Sequence, residues 1–368
     1  MKKIIVITYG YPIVGNPSKY QFVKELVTNW RKQGLYVKVI NPLTFSDWIK
    51  NRKCKSEDEV FPLYFRFAFL KIFPFLRILQ NRIQDICFRK AVEKNIHDYT
   101  NTVLYSHFMC AGIVAAKIAK KHGVRSFCAF GESTLWFMKD RNPEKTNRDI
   151  RALNGIITVS SQNTRIVREN RWNDCVLEAP NALDIDSFKL LDRNECRKEL
   201  GFPIDKVIGV FVGHFIERKG PMRVKEAAHG IKDLKMIYIG EGEQKPEDDN
   251  ILFIGRVDHY VLNKYLCAAD FFVLPTEAEG CCNAIVEALG CGIPVISSNG
   301  EFNDCILNER NSIRVDYDDI EGIRNAIMIL VNDEHKRKEM ETYIRSCREQ
   351  YSLDNRARKI AEFIGASN

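Results

Sequence analysis

Two carboxylates, Glu279 and Glu287, stand with seven residues between them, and the turn Gly280–Asn283 begins directly after the first. A carboxylate in such a turn accepts hydrogen bonds from a polyol. The amides that open the following helix point its positive dipole end at an anion. Glu287 lies about two helical turns further on and reaches the same ligand only if that ligand is long. A nucleotide-sugar, with sugar, diphosphate, ribose and base in line, is long in that way. A second anion-handling stretch comes earlier in the chain. Gly213 and His214 follow an apolar run, and Arg218, Lys219 and Gly220 enter the next helix, so the cations and amides can hold a diphosphate. His107, at the end of another apolar run, can donate to a sugar hydroxyl or a phosphate. Each feature also has a plainer reading: solvated carboxylates on an ordinary strand-turn-helix, solvated cations at a helix start, a structural histidine.

Other chemistry is not expected. Cys281 and Cys282 lie beside Glu279 without a nearby histidine to act as base. Asp316 and Asp318 fit an Asp-x-Asp metal pattern, but they precede a helical stretch over 320–330, where Asp318 or Asp319 serves as the N-cap. The twelve cysteines show no zinc-site or disulfide spacing. Reduced thiols, no metal and no cofactor beyond a nucleotide-sugar co-substrate are expected.

The elements that must position these residues alternate regularly. Phe271–Leu274 is apolar without alternation, as in a parallel strand covered on both faces. Ala284, Ile285, Ala288 and Leu289 recur at helical spacing, Gly290 or Gly292 stops that helix, and Pro294 opens the strand 295–297. Further strands are predicted at 4–8, 36–40, 103–106, 126–130, 156–160, 175–178, 207–212, 235–239 and 251–254. Helices intervene, the first capped by Ser18 and facing the core with Phe22, Val23, Leu26, Val27 and Trp30. This order predicts α/β domains with parallel sheets, and 368 residues predict two of them. No G-x-G-x-x-G follows the first strand, which argues against an ordinary dinucleotide site. The turn-rich segment 180–188 marks the boundary. The reading is residues 1–185, residues 186–351, and a terminal helix in 352–368 with Ala357, Ile360, Ala361 and Ile364 on one stripe.

A net charge of +7 favours anionic ligands or an anionic surface. Residues 61–90 concentrate it: Phe61, Tyr64, Phe65, Phe67, Phe69, Phe73 and Phe75 interleave with Arg66, Lys71, Arg77, Arg82, Arg89 and Lys90. This suits a helix pair packed on the core with a basic outer face, or contact with an anionic membrane. Nucleic acid is not expected, because no recognition motif accompanies the basic residues. Residues 1–7 read as a first strand rather than a signal peptide, and no run is long enough to span a bilayer. A cytoplasmic protein, peripheral on the inner face of the membrane, is the expectation.

Residues 279–288 with Gly292–Val295 resemble the Glu-x7-Glu signature of family 4 retaining glycosyltransferases, which have the GT-B fold. The likeness extends over nearly the whole chain and is strongest across 207–300. It implies two Rossmann-like, doubly wound domains facing across a cleft, the acceptor on the amino-terminal side, the donor on the carboxy-terminal side, and the last helix crossing back. By this resemblance Glu279 contacts the donor sugar and Glu287 the ribose, while Lys219 matches the family's Lys-Gly and neutralises the diphosphate, with Arg218 assisting. Gly213 matches the family's glycine, and His214 stands where the family has Arg. Gly255 and Val257 present main-chain atoms to the base, Gly280, Cys281, Cys282 and Asn283 line the donor, Gly15 lets substrate approach the backbone, and His107 sits in a matching turn. The segment 130–133 departs from the family's His-Gly-Ser-Asp, with Phe130 in place of His and Glu132-Ser133 in altered chemistry. Ser133 is read as a cap for the next helix. The implied activity is hexosyl transfer from a nucleotide-diphosphate-sugar to a glycan or lipid-linked acceptor, with retention and without a metal, in cell-surface polysaccharide or glycolipid synthesis. Alternatives are a nucleotide-sugar epimerase of related fold and a catalytically silent nucleotide-sugar-binding protein.

Overall fold

The structure, a computed structural model, describes residues 2–17, 20–53, 56–66 and 76–366. The chain divides into two compact units, residues 1–179 with 357–368, and residues 180–356. In the first, β1 (Lys3–Thr8), β2 (Tyr36–Ile40), β3 (Glu59–Val60), β4 (Thr102–His107), β5 (Arg125–Phe130), β6 (Gly155–Thr158) and β7 (Val176–Glu178) form a parallel sheet in the order β3-β2-β1-β4-β5-β6-β7. Because side chains alternate across a strand, Ile4, Val6, Val37 and Val39 face one helical layer. There they meet Val23, Leu26 and Trp30 of helix Gln21–Lys32. Ile5, Ile7 and Leu104 face the other, with Phe88 and Val92 of helix Arg77–Glu93 and Val114 and Ile118 of helix Met109–His122.

The second unit holds β8 (Val207–Val212), β9 (Leu234–Ile239), β10 (Ile251–Gly255), β11 (Phe271–Leu274), β12 (Val295–Ser298) and β13 (Ser312–Val315), all parallel, in the order β10-β9-β8-β11-β12-β13. The strand order reverses between β1 and β4 in one sheet and between β8 and β11 in the other. In open α/β sheets ligands bind beyond the carboxyl ends of the strands at such a reversal. The pairing of β8 with β11 depends on Gly209, where an added Cβ would lie 2.7 Å from the Phe271 ring. The terminal helix Leu353–Phe363 delivers Ala357, Ile360, Ala361 and Ile364 to the core that contains Trp30, whose Nε1 donates to the Ala357 carbonyl at 2.8 Å.

Several elements differ from the reading of the sequence. Helix Gln21–Lys32 begins after Tyr20, which has left-handed backbone (φ 60°) and no capping side chain; Ser18 lies outside the described residues. Among the described residues 61–90 contain one helix, Arg77–Glu93, rather than a pair, and Phe67, Phe69, Lys71, Phe73 and Phe75 are not described. Ser133 caps no helix: the next α-helix, Pro143–Arg151, is capped by Asn142. Asp319 caps helix Ile320–Asn332 by accepting from Gly322 N at 2.9 Å, while Asp316 accepts from Asn299. Among the described residues no helix is long and apolar enough to cross a membrane.

Candidate active site

β8 and β11 lie side by side, and the loops that follow them are joined by their backbones. After β8 the chain makes the loop 213–216, the single turn Glu217–Lys219, and Gly220 (φ 73°) before helix Pro221–Ala228. After β11 it makes the turn 275–282 before helix Asn283–Gly290. The Arg218 carbonyl accepts from Glu277 N (2.9 Å) and Thr276 Oγ1 (3.3 Å), and Arg218 Nη1 donates to the Ala278 carbonyl.

On this frame three donors converge on one carboxylate oxygen. Glu279 Oε1 receives Lys219 Nζ at 2.5 Å, Arg218 Nη1 at 2.7 Å and Thr276 Oγ1 at 3.2 Å. Lys219 is buried, and its Nζ lies 3.9 Å from Cys282 Sγ. Two cations on one carboxylate leave a surplus positive charge in a partly desolvated place, where it acts more strongly than in water. Burial pushes the Cys282 thiol up to about 11. The Cys281 thiol stands well above its ordinary value, through its contact with Cys305 and through burial. Both stay protonated near neutral pH, which is unfavourable for a thiolate nucleophile.

The structure does not gather every candidate into this cluster. Glu287, on helix Asn283–Gly290, turns to His259 Nε2 at 3.2 Å, and His259 opens helix His259–Ala268 just after Gly255–Asp258. Asn283 and the Cys281 carbonyl are both bound by Asn181 Nδ2, at 2.8 and 3.1 Å. Gly280 is buried in the turn. Gly213 belongs to a backbone-on-backbone edge, with Gly213 N donating to Ile239 O (2.9 Å) and Gly240 N to Gly255 O (2.8 Å). An added Cβ on Gly240 would stand 1.9 Å from Gly213 O, and one on Gly242 would stand 2.3 Å from Phe215 O. Gly240–Gly242 is therefore what lets the loop after β8 close down on β9. His214 is exposed and Val257 half-buried at this edge.

His107 and Gly15 belong to the first unit. His107 ends β4 opposite Thr8 of β1, its buried ring 5.2 Å from Phe22 and 4.8 Å from Phe108, with Nδ1 3.5 Å from the Tyr105 hydroxyl. Gly15 is exposed in the loop after β1 with φ 94°.

Sequence reasoning missed Thr276, Asn181 and His259, all polar residues whose partners are remote in the chain. It also left Glu132 without a role. Its carboxylate accepts from Met109 N (2.7 Å) at the start of helix Met109–His122 and from Gly131 N (3.1 Å), and burial pushes its pKa up to about 7. The unfolded carboxyl titrates near 4.5, so the folded chain holds this proton more tightly. Glu132 therefore favours the fold fully below about pH 4.5, and that contribution disappears as pH rises to about 7. Urea unfolding of the native protein and of Glu132→Gln from pH 4.5 to 8 should show a difference between them that changes by about 3 kcal/mol, with the native protein losing ground as pH rises. A flat difference would refute it.

The glycosyl transferases group 1 family matches residues 206–333, which include β8 to β13 and the Lys219–Glu279 cluster. A Bacillus subtilis (strain 168) protein provisionally assigned as a teichuronic acid biosynthesis glycosyltransferase is 25% identical over 316 residues, 81% of each chain. The Escherichia coli UDP-Gal:α-D-GlcNAc-diphosphoundecaprenol α-1,3-galactosyltransferase is 29% identical over 175 residues, 42% of this chain and 44% of that one. Among solved structures, HepE of Anabaena in complex with UDP superposes with a TM-score of 0.74 at 15% identity over 100% of both chains. Sucrose-phosphate synthase of Thermosynechococcus elongatus gives 0.74 at 16% identity over 98% of both. These two likenesses establish the fold, two Rossmann-like units of the GT-B kind.

Proposed function

We propose that this chain, whose residues 206–333 match the glycosyl transferases group 1 family, transfers a sugar from a nucleotide-diphosphate-sugar to an acceptor hydroxyl with retention at the anomeric carbon. The observation that carries the reading is the meeting of Lys219 and Arg218 on Glu279 beyond the adjoining strands β8 and β11. A donor diphosphate brings about two negative charges to a cluster with one in surplus, so the cations exchange part of their hold on Glu279 for phosphate oxygens. Glu279 is then available to accept from sugar hydroxyls. As the anomeric carbon–oxygen bond breaks, charge grows on the departing phosphate, where Lys219, Arg218 and the amides of 280–283 stabilise it. The acceptor oxygen forms its bond from the leaving-group face, and its proton passes to a phosphate oxygen. Glu287, with His259 beside Gly255 and Val257, is assigned to the ribose and base.

The names of the similar proteins point to teichuronic acid and to a diphosphoundecaprenol-linked glycan, and they support an acceptor in cell-surface polysaccharide or glycolipid synthesis. The test is incubation with UDP-, GDP- and ADP-sugars, with and without acceptor extract, followed by product analysis and assignment of the anomeric configuration. Conversion of donor alone would favour an epimerase, and binding without turnover in any extract a silent binding protein.

Helix Arg77–Glu93 is the proposed membrane contact, because it exposes Ile78, Leu79 and Ile86 beside Arg82 and Lys90. Vesicles containing phosphatidylglycerol should sediment the protein at low salt and release it at high salt. Ile78→Asp with Leu79→Asp should abolish sedimentation while leaving nucleotide binding intact. Equal sedimentation of native and altered protein would exclude this face.

A further inference from the structure

A thiol pair stands at each end of helix Asn283–Gly290, the helix that opens after the Glu279 turn. Ahead of it, Cys281 contacts Cys305. Behind it, Cys291 contacts Cys267, and both of these thiols donate to Asn263 Oδ1, at 3.1 and 3.6 Å. The first contact follows from the sheet. β11 pairs in parallel with β12, so the turn 275–282 after β11 and the segment 299–305 after β12 emerge side by side at the carboxyl end. Ser298 Oγ joins them by donating to the Thr276 carbonyl at 2.6 Å. Asn303 Nδ2 donates to the Ser298 carbonyl at 3.1 Å and holds the second segment in place.

The two pairs differ in access. Cys267 and Cys291 are only 4% and 3% exposed, whereas Cys305 is half-buried. Contact with Cys305 and burial keep Cys281 protonated, so Cys305 is the sulfur that meets an oxidant. Cys281 is also tied into the candidate site. Its Sγ accepts from Asn181 N at 3.3 Å, and Asn181 Nδ2 holds the Cys281 carbonyl at 3.1 Å and Asn283 Oδ1 at 2.8 Å. At its other end the turn is fixed by the Arg218 carbonyl, which accepts from Glu277 N and Thr276 Oγ1. A disulfide requires its sulfurs about 2 Å apart, well inside the contact distance of two thiols. Closing that gap draws Cys281 toward Cys305 against the hold of Asn181. With the Arg218 end fixed, the displacement falls on Glu279 and Gly280 between them.

We propose that Cys281 and Cys305 are a reversible oxidation site whose disulfide disables the binding turn beside them. The oxidant is a peroxide. The Cys305 thiolate attacks one peroxide oxygen and becomes a sulfenic acid; the oxygen–oxygen bond breaks, and the departing hydroxide leaves as water with the proton Cys305 gave up. The Cys281 sulfur then attacks the Cys305 sulfur, the sulfur–oxygen bond breaks, and the Cys281 proton leaves with that hydroxide as a second water. The two sulfurs lose two electrons and the peroxide gains them. That the disulfide disables a nucleotide site rests on the transferase reading; the linkage does not.

The reduced full chain is treated with hydrogen peroxide in small excess and digested without reductant at glutamates. Cleavage after Glu279, Glu287 and Glu301 puts Cys281, Cys291 and Cys305 on separate peptides. Mass spectrometry maps the linkage, with fragmentation separating Cys281 from Cys282, and calorimetry measures whichever of UDP, GDP or ADP binds best before and after oxidation. The Cys281–Cys305 linkage should form ahead of any Cys267–Cys291 linkage, nucleotide affinity should fall at least about tenfold, and dithiothreitol should reverse both changes. Cys305→Ser should bind nucleotide like the reduced native protein and keep that affinity in peroxide. Linkage of Cys282 or of Cys267–Cys291 first, no linkage at all, or a linkage that leaves nucleotide affinity unchanged would overturn the inference. So would an equal loss of affinity in Cys305→Ser. Failure of the reduced protein to bind any of the three nucleotides would count against the transferase reading alone, and the mapping would still decide the linkage.

Discussion

Alanine at Lys219 or at Glu279 should lower sugar transfer by roughly 10²–10³ while leaving the protein folded. Lys219 Nζ is 2.5 Å from Glu279 Oε1 and is buried, so its charge is little screened by water. Its stabilisation of the departing diphosphate grows as the bond to the sugar breaks, and the loss is expected in kcat more than in KM. Arg218 shares the carboxylate but is more exposed, so Arg218→Ala should cost less. Because Lys219 and Glu279 form one unit, the double variant should be little worse than either single one. Steady-state kinetics with the identified donor, alongside circular dichroism of each variant, decides the matter. Turnover like that of the native protein in both single variants would remove the mechanism.

Alanine at Asp270 should destabilise the second unit by about 3–5 kcal/mol, the range for removing one partner of a buried ion pair. Asp270 immediately precedes β11. Its carboxylate accepts from Arg197 Nη2 at 2.6 Å, from Ile208 N of β8 at 2.7 Å, and from Arg193 Nη1 at 3.2 Å. One side chain thus pins the beginning of β11 to the beginning of β8, the two strands whose far ends carry Glu279 and Lys219. Without it, Arg197, only 3% exposed, is left with carbonyl partners alone, among them Ala268 O and Lys206 O. Asp270→Asn keeps an acceptor for Ile208 N and should cost less than Asp270→Ala. Denaturant unfolding measures both, and a loss below about 1 kcal/mol in the alanine variant would show that the pair does not hold the strands.

The strands were legible wherever apolar residues ran without interruption. Phe271–Leu274 and Val207–Val212 are covered on both faces, so composition alone marks them. β3, with two residues, and β13, with Arg314 inside it, carry too little apolar signal to be seen. Helix Pro143–Arg151 was missed for a similar reason: it buries only Thr146 and Ile150. The stripe of Ala357, Ile360, Ala361 and Ile364 was plain in the sequence. That it shares a core with Trp30 follows from packing between residues hundreds of positions apart.

What the sequence determined by itself was the alternation of strand and helix, and the presence of Lys219, Glu279, a glycine-bounded turn and Glu287 in that order along the chain. These are local properties, written in periodicity and residue type. Tertiary structure alone decided that Lys219, Arg218 and Thr276 converge on one oxygen of Glu279, that Glu287 turns to His259, and that Gly240 and Gly242 admit the backbone of the preceding loop. The physical reason is that hydrogen bonds and ion pairs act over a few ångströms. The strand order that brings residues from distant segments within that range is set by how helices cover the two faces of each sheet, which no short stretch of sequence encodes.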